Sequence, residues 1–200
     1  DGTAIGTHIV QDVNSQNSID ANSKLVPFAQ GVVFSTTSNE ILWANSSDVI
    51  ELSQIPTFDI SSQAILNSSL SMLSANTYSI LNSDGDNLWF IAKDSNGDIE
   101  PYHLSLSGQL TAYDVNPNGN SLVGSSVFTD QGLVVVATEN SGRQLALLSS
   151  GNTAWLTSLM DTTNGNWPTN VGTGLGLHYL SSKVIFDAQT TGVNPTLWSY

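Results

Sequence analysis

Four times along this chain a run of β-branched and aromatic residues leads through a polar turn into a second such run. That recurrence restricts the possible folds more than any other feature. The segments are VVFSTTSNEILWANSSDVIEL (32–52), LWFIAKDSNGDIEPYHLSLSGQLTAY (88–113), LVVVATENSGRQLALLSSGNTAWLTS (133–158) and VIFDAQTTGVNPTLWSY (184–200). Each is preceded by one more short apolar run: KLVPFA, TYSILN, SSVFT and LHYLS. Runs this short, rich in Val, Ile, Phe and Trp and bounded by Gly, Asn, Asp and Ser, read as strands. The chain is therefore expected to be all-β.

The anchors Phe34, Phe90, Val135 and Phe186 hold equivalent places, 56, 45 and 51 residues apart. The fourth repeat runs out before its last strand, and the opening residues supply one. Joining Tyr200 to Asp1 completes it as VIFDAQTTGVNPTLWSY-DGTAIGTHIV and makes the spacing from Phe186 round to Phe34 48 residues. Asp-Gly is a hairpin-turn dipeptide, so the two ends read as halves of one hairpin. A period of roughly 40 to 50 residues with four strands each predicts a β-propeller. The expectation is one four-bladed propeller domain over residues 1–200, its last blade closed by THIV pairing with TLWSY, which removes a free sheet edge. A sandwich or jelly roll also accommodates short alternating strands; the wrap-around spacing favours the ring. Residues 58–77 interrupt the pattern. Ile60, Ala64, Leu66, Leu70 and Leu73 behind Asp59 suit a short capped helix packed on the ring, or an apolar loop.

The joined ends resemble the ELWxSDGTxxGTxxVxDI repeat of bacterial secreted and surface proteins predicted to form propellers. The resemblance runs through Leu197, Trp198, Ser199, Asp1, Gly2, Thr3, Gly6, Thr7, Val10 and Asp12. It implies the propeller fold and a secreted or surface setting. The motif residues fall in a structural turn and imply no activity. The other repeats keep the strand pattern without the motif.

Charge narrows the partners. Seventeen Asp and Glu face only Lys24, Lys93, Arg143 and Lys183, a net charge of -13. Phosphate backbones need Lys and Arg, so nucleic acid is excluded as a partner, and anionic membranes are disfavoured. Ca²⁺ or a basic ligand is the natural partner. Only 10% of residues are charged, against about 25% in ordinary soluble domains, and no Cys is available for disulfide or thiol chemistry. This composition is similar to that of the acidic, Cys-free, Ca²⁺-dependent domains of repeats-in-toxin adhesins. No apolar run approaches the roughly 20 residues of a membrane-spanning helix, and no basic-then-apolar leader is present. A monomeric module excised from a longer extracellular or bacterial cell-surface chain is expected.

In a propeller, second-to-third-strand turns and the links between blades share the face on which ligands usually bind. The links there begin DVNSQN at Asp12, DVNPNGN at Asp114 and DTTNGN at Asp161. They read as local Asx turns or as carboxylates ringing one mouth. Trp167, three residues after Asn164 in NGNWPTN, is an aromatic in a polar loop, placed to stack on a sugar or peptide group or to fold back as a lid. Asp12, Asp114, Asp161, Asn164 and Trp167 are thus the candidate ligand contacts. KDSNGDIEPY offers Asp94, Asn96, Asp98 and Glu100 around Gly97, an oxygen-rich set suited to calcium although not an EF-hand. The weaker turn NSDGDN carries Asp84 and Asp86. Trp43, Trp89, Trp155 and Trp198 fall in strands and read as packing.

Catalysis has little to stand on. His8, His103 and His178 lie in three separate strands without metal-ligand spacing. No GxSxG elbow, P-loop or dinucleotide fingerprint occurs. The expected function is a non-enzymatic, extracellular adhesion module recognising a cell-surface peptide or glycan, with calcium as its candidate cofactor. The alternative is a secreted carbohydrate-active enzyme using paired carboxylates.

Overall fold

The structure, a computed structural model, describes residues 19, 23–38, 40–52, 74–93, 96–139, 142–157, 168–171, 176–190 and 196–200. These residues build four antiparallel four-stranded sheets. The first runs β1 (Val26–Phe28), β2 (Gly31–Ser35), β3 (Ile41–Ala44), β4 (Val49–Glu51). The second runs β5 (Ser74–Ser83), β6 (Asn87–Lys93), β7 (Ile99–Ser105), β8 (Leu110–Ala112). The third runs β9 (Ser126–Thr129), β10 (Gly132–Glu139), β11 (Gly142–Ser149), β12 (Asn152–Trp155). All three are meanders in chain order. The fourth contains β13 (Pro168–Val171) and the meander β14 (Leu177–Leu180), β15 (Lys183–Thr190), β16 (Thr196–Ser199).

Phe34, Phe90, Val135 and Phe186 each fall in the second strand of a meander, and each is buried. β13 departs from the expected pattern. Ile185 faces both His178 and Ser199, and Ala188 faces both Val171 and Thr196. β13 and β14 therefore lie end to end along one edge of β15, with β16 on the other. The end of NGNWPTN is thus strand, not loop. Pro168 opens it, a position where the missing N–H is tolerated. The expected closing strand THIV and residues 58–73 lie outside the described residues, while 74–77 belong to β5.

The chain divides into two compact units, 1–95 with 103–110 and 96–102 with 111–200, the division passing through β7. In the first unit, Ala29 and Gln30 turn β1 into β2 with φ of 51° and 61°. Two consecutive left-handed residues make the mirror-image turn that matches strand twist. The Trp43 indole, from β3, donates its Nε1 hydrogen to the Phe28 carbonyl at 2.8 Å. A Cβ on Gly31 would overlap both the Trp43 ring and the backbone carbonyl oxygen of Ala44, so close packing against β3 requires glycine. The hairpin is tied to the β5–β6 turn: Ala29 N–H donates to Gly85 O at 2.9 Å, and the Ser83 hydroxyl donates to Pro27 O. Lys24 donates to Leu81 O at 2.6 Å, and burial lowers its pKa.

The second unit is organised by β10. Leu133, Val134, Val135, Val136 and Ala137 are consecutive and all buried. A strand packed on both faces needs no polar alternation, which is why this run is continuously apolar. Val134, Val136 and Leu145 form one cluster with Leu177, Val184, Phe186 and Ala188, so the third sheet packs against the fourth. β16, by contrast, is exposed along its whole length.

Gly31→Ala tests the first hairpin. The added methyl must displace Trp43, and overpacking of this kind costs about 1–3 kcal/mol. The unfolding free energy from urea titration is expected to fall by that amount; an unchanged midpoint would show that the indole can move freely.

Candidate ligand-binding site

Two places in the second unit gather polar chemistry, at opposite ends of β10. The first is where the segment 113–121 docks on the start of β7. Tyr113 N–H donates to Pro101 O at 3.0 Å, and Ser121 N–H to Ile99 O at 3.1 Å. Asn120 Oδ1 accepts from Ile99 N–H at 2.9 Å. Thr138 N–H, near the far end of β10, donates to Ser121 O at 2.6 Å. Glu100 is drawn beneath this segment, where its Oε2 accepts Val115 N–H at 2.9 Å. Its Oε1 is buried without a partner among the described residues.

Burial pushes the Glu100 carboxyl up to about 7, against the lowering effect of the Val115 N–H and Ser121 bonds; the Asp114 charge adds to the rise. The Nε of Arg143, the residue paired with Thr138, is also buried without a partner among the described residues.

This end collects part of what the sequence singled out. Asp114 is exposed and Glu100 is buried, yet the two are electrostatically coupled, joining loops that the sequence pattern treats separately. Asn96 and Asp98 are described and Asp98 is exposed. Asp94, Asp12, Asp161, Asn164 and Trp167 lie outside the described residues. Among the described residues no group of three or more His, Asp or Glu is placed to hold a metal. Glu100 Oε2 is engaged by the Val115 amide.

The second place was not signalled by any motif. A cleft of about 310 Å³ opens where the β9–β10 and β14–β15 turns meet. Gly132 and Thr138 are six residues apart, so this cleft lies about 20 Å along β10 from the Glu100 end. Val134, Leu147, Leu156 and Val184 supply its apolar lining. Thr129, Asp130, Gln131 and Ser182 supply polar groups, and Tyr179 and Tyr200 the aromatic ones.

The Tyr179 hydroxyl donates to Asp130 Oδ2 at 2.8 Å across the two sheets. Tyr200 is fixed by its backbone, which exchanges two hydrogen bonds with Val184 at 2.9 and 3.0 Å. Short turns set the rim: Ser181 and Ser182 have φ of 51° and 62°, and Thr129 Oγ1 donates to Gly132 O at 3.0 Å. An apolar floor with a few convergent polar groups is the usual make-up of a small-ligand site. The aromatic ends of HYL and WSY were the available sequence signal, but strand patterning accounts for both equally well.

In the first unit His103 is a packed residue. Its ring stacks on Trp89 with centroids 4.6 Å apart, its Nε2 lies 2.7 Å from Asn87 Oδ1, and burial lowers its pKa while Asp84 opposes that.

The Glu100 geometry predicts a pH dependence. Its folded pKa is raised from 4.5 to about 7, so the folded state holds the proton more tightly than the unfolded chain. The associated stability is fully present below pH 4.5 and is lost as pH rises to about 7, at most about 3 kcal/mol before solvent screening reduces it. Glu100→Gln keeps an acceptor for Val115 and cannot ionise. Subtracting its unfolding free energy from that of the unsubstituted protein should give a curve falling between pH 4.5 and 7; a flat difference would disprove the burial of a titrating carboxyl. No protein-family profile matches the chain, and no curated protein sequence matches it.

Proposed function

We propose that the chain is a ligand-binding module built as a four-bladed β-propeller, with the N-terminal strand completing the fourth blade beside β16. It would serve adhesion at an extracellular bacterial surface, recognising a peptide or glycan. Four meanders with equivalent buried anchors in their second strands support the propeller. The observation that carries the binding reading is the Asp130–Tyr179–Tyr200 cleft. It combines a carboxylate held by a tyrosine hydroxyl, two aromatic side chains and an apolar floor.

Aromatic rings at exposed sites contribute stacking area while losing few rotamers on binding. Recognition at such a site needs no rearrangement of the scaffold, because both rims belong to short hairpins. Calcium is a separate proposal for the oxygen-rich set Asp94, Asn96, Asp98 and Glu100. It is tested by thermal unfolding with Ca²⁺ and then EGTA, where a cation bound only to the folded state raises Tm.

The binding reading is tested by retention of the pure protein on peptide and glycan arrays, with Tyr200→Ala and Trp167→Ala alongside. Tyr200→Ala is expected to reduce retention about tenfold, the effect of losing about 1.4 kcal/mol of contact. Loss on Trp167→Ala with full retention by Tyr200→Ala would move the site to the loop the sequence singles out. No retention on any array would remove the binding function.

A further inference from the structure

The cleft is specific about charge, and this deepens the binding reading on which it rests. We propose that it takes a cationic side chain, a lysine or arginine presented by a bound peptide. Three features of the lining fit such a group. The apolar floor of Val134, Leu147, Leu156 and Val184 accommodates a methylene stem, as long basic side chains commonly lie along apolar surface with the charged head outward. Tyr179 and Tyr200 also line the cleft, and the π face of a tyrosine attracts a cation more strongly as the cation loses water.

Asp130 is the counter-charge. Its Oδ2 is engaged by the Tyr179 hydroxyl at 2.8 Å, and a carboxylate accepts about four hydrogen bonds in all, so it can bond an ammonium or guanidinium as well. The Tyr179 bond holds the carboxylate in place before the ligand arrives, which lowers the ordering cost of binding.

The wider electrostatics favour the same ligand. Among the described residues none of those lining the cleft is basic. Lys183 follows Ser182 and precedes Val184, but strand alternation sends it to the face of β15 opposite Val184, and it is exposed. A net charge of -13 draws cations toward the surface and gives a neutral sugar no such advantage.

The test is amide NMR of the folded protein titrated with acetyl-Gly-Lys-Gly-amide, the same peptide acetylated on the lysine amine, and a panel of neutral methyl glycosides. The lysine peptide is expected to shift the amides of Asp130, Gln131, Ser182 and Tyr200. Acetylation of the amine should weaken binding about tenfold, and Asp130→Asn should do the same. The amide introduced by that substitution retains an acceptor for the Tyr179 hydroxyl, so the fold and the unliganded spectrum should persist. Equal binding of both peptides would overturn the proposal. Glycosides shifting these amides where the lysine peptide does not would overturn it while leaving the binding module intact. Silence from every probe, with no retention on the arrays, would remove both.

Discussion

The structure depends on burying the second strand of each meander. β10 carries five consecutive residues that are 0–1% exposed, and in β6 Leu88, Trp89, Phe90 and Ala92 are likewise enclosed. A strand flanked by partners on both edges still has two faces to cover, and one sheet cannot cover both. The third and fourth sheets meet this requirement for each other through the Val134–Phe186 cluster. At about 25 cal/mol per Å² of apolar surface, such strands supply the main driving force for assembly. The fourth strands contribute less, as the exposed β16 shows. The meander is what places the best-covered strand inside and the worst-covered one outside.

The strand pattern was available from sequence because burial on two faces leaves a plain signature: short, unbroken apolar runs such as LVVVA and LWFIA. Turn chemistry marked the breaks less reliably. Ala29-Gln30 and Ser181-Ser182 form two-residue turns with both φ angles positive, although neither pair contains the Gly or Asn such turns favour. The strands on either side impose the geometry on residues that would not choose it. The same logic explains β13. Proline and two polar residues read as loop, yet the free edge of β15 beyond β14 offers hydrogen bonds to whatever chain runs beside it.

Side-chain direction at the sites was much harder to read. Glu100 belongs by spacing to the turn beginning at Asp94, where alternating oxygens suggest a cation cage. In the structure it lies on a strand whose pleat turns it inward, and the Val115 amide takes one of its oxygens. The cleft was invisible for a different reason. Asp130 and Tyr179 are 49 residues apart in sequence, and only the packing of two sheets brings their oxygens to 2.8 Å.

The sparse charge of this chain gives both places their chemistry. With four basic residues in 200, most carboxylates must be satisfied by water, by amide hydrogens or by a ligand. Glu100 shows the second outcome: burial pushes its carboxyl up to about 7 although hydrogen bonds from Val115 and Ser121 oppose the rise. Asp130 shows the condition for the third. It is exposed, and its bond to Tyr179 fixes its position. A positioned, solvent-accessible carboxylate beside two tyrosines can exchange water for a cation with little reorganisation. The buried carboxylate cannot do this, because opening its site would break the contacts that dock residues 113–121 on β7. Burial separates the enclosed carboxylate of Glu100 from the exposed one of Asp130 within the same small unit.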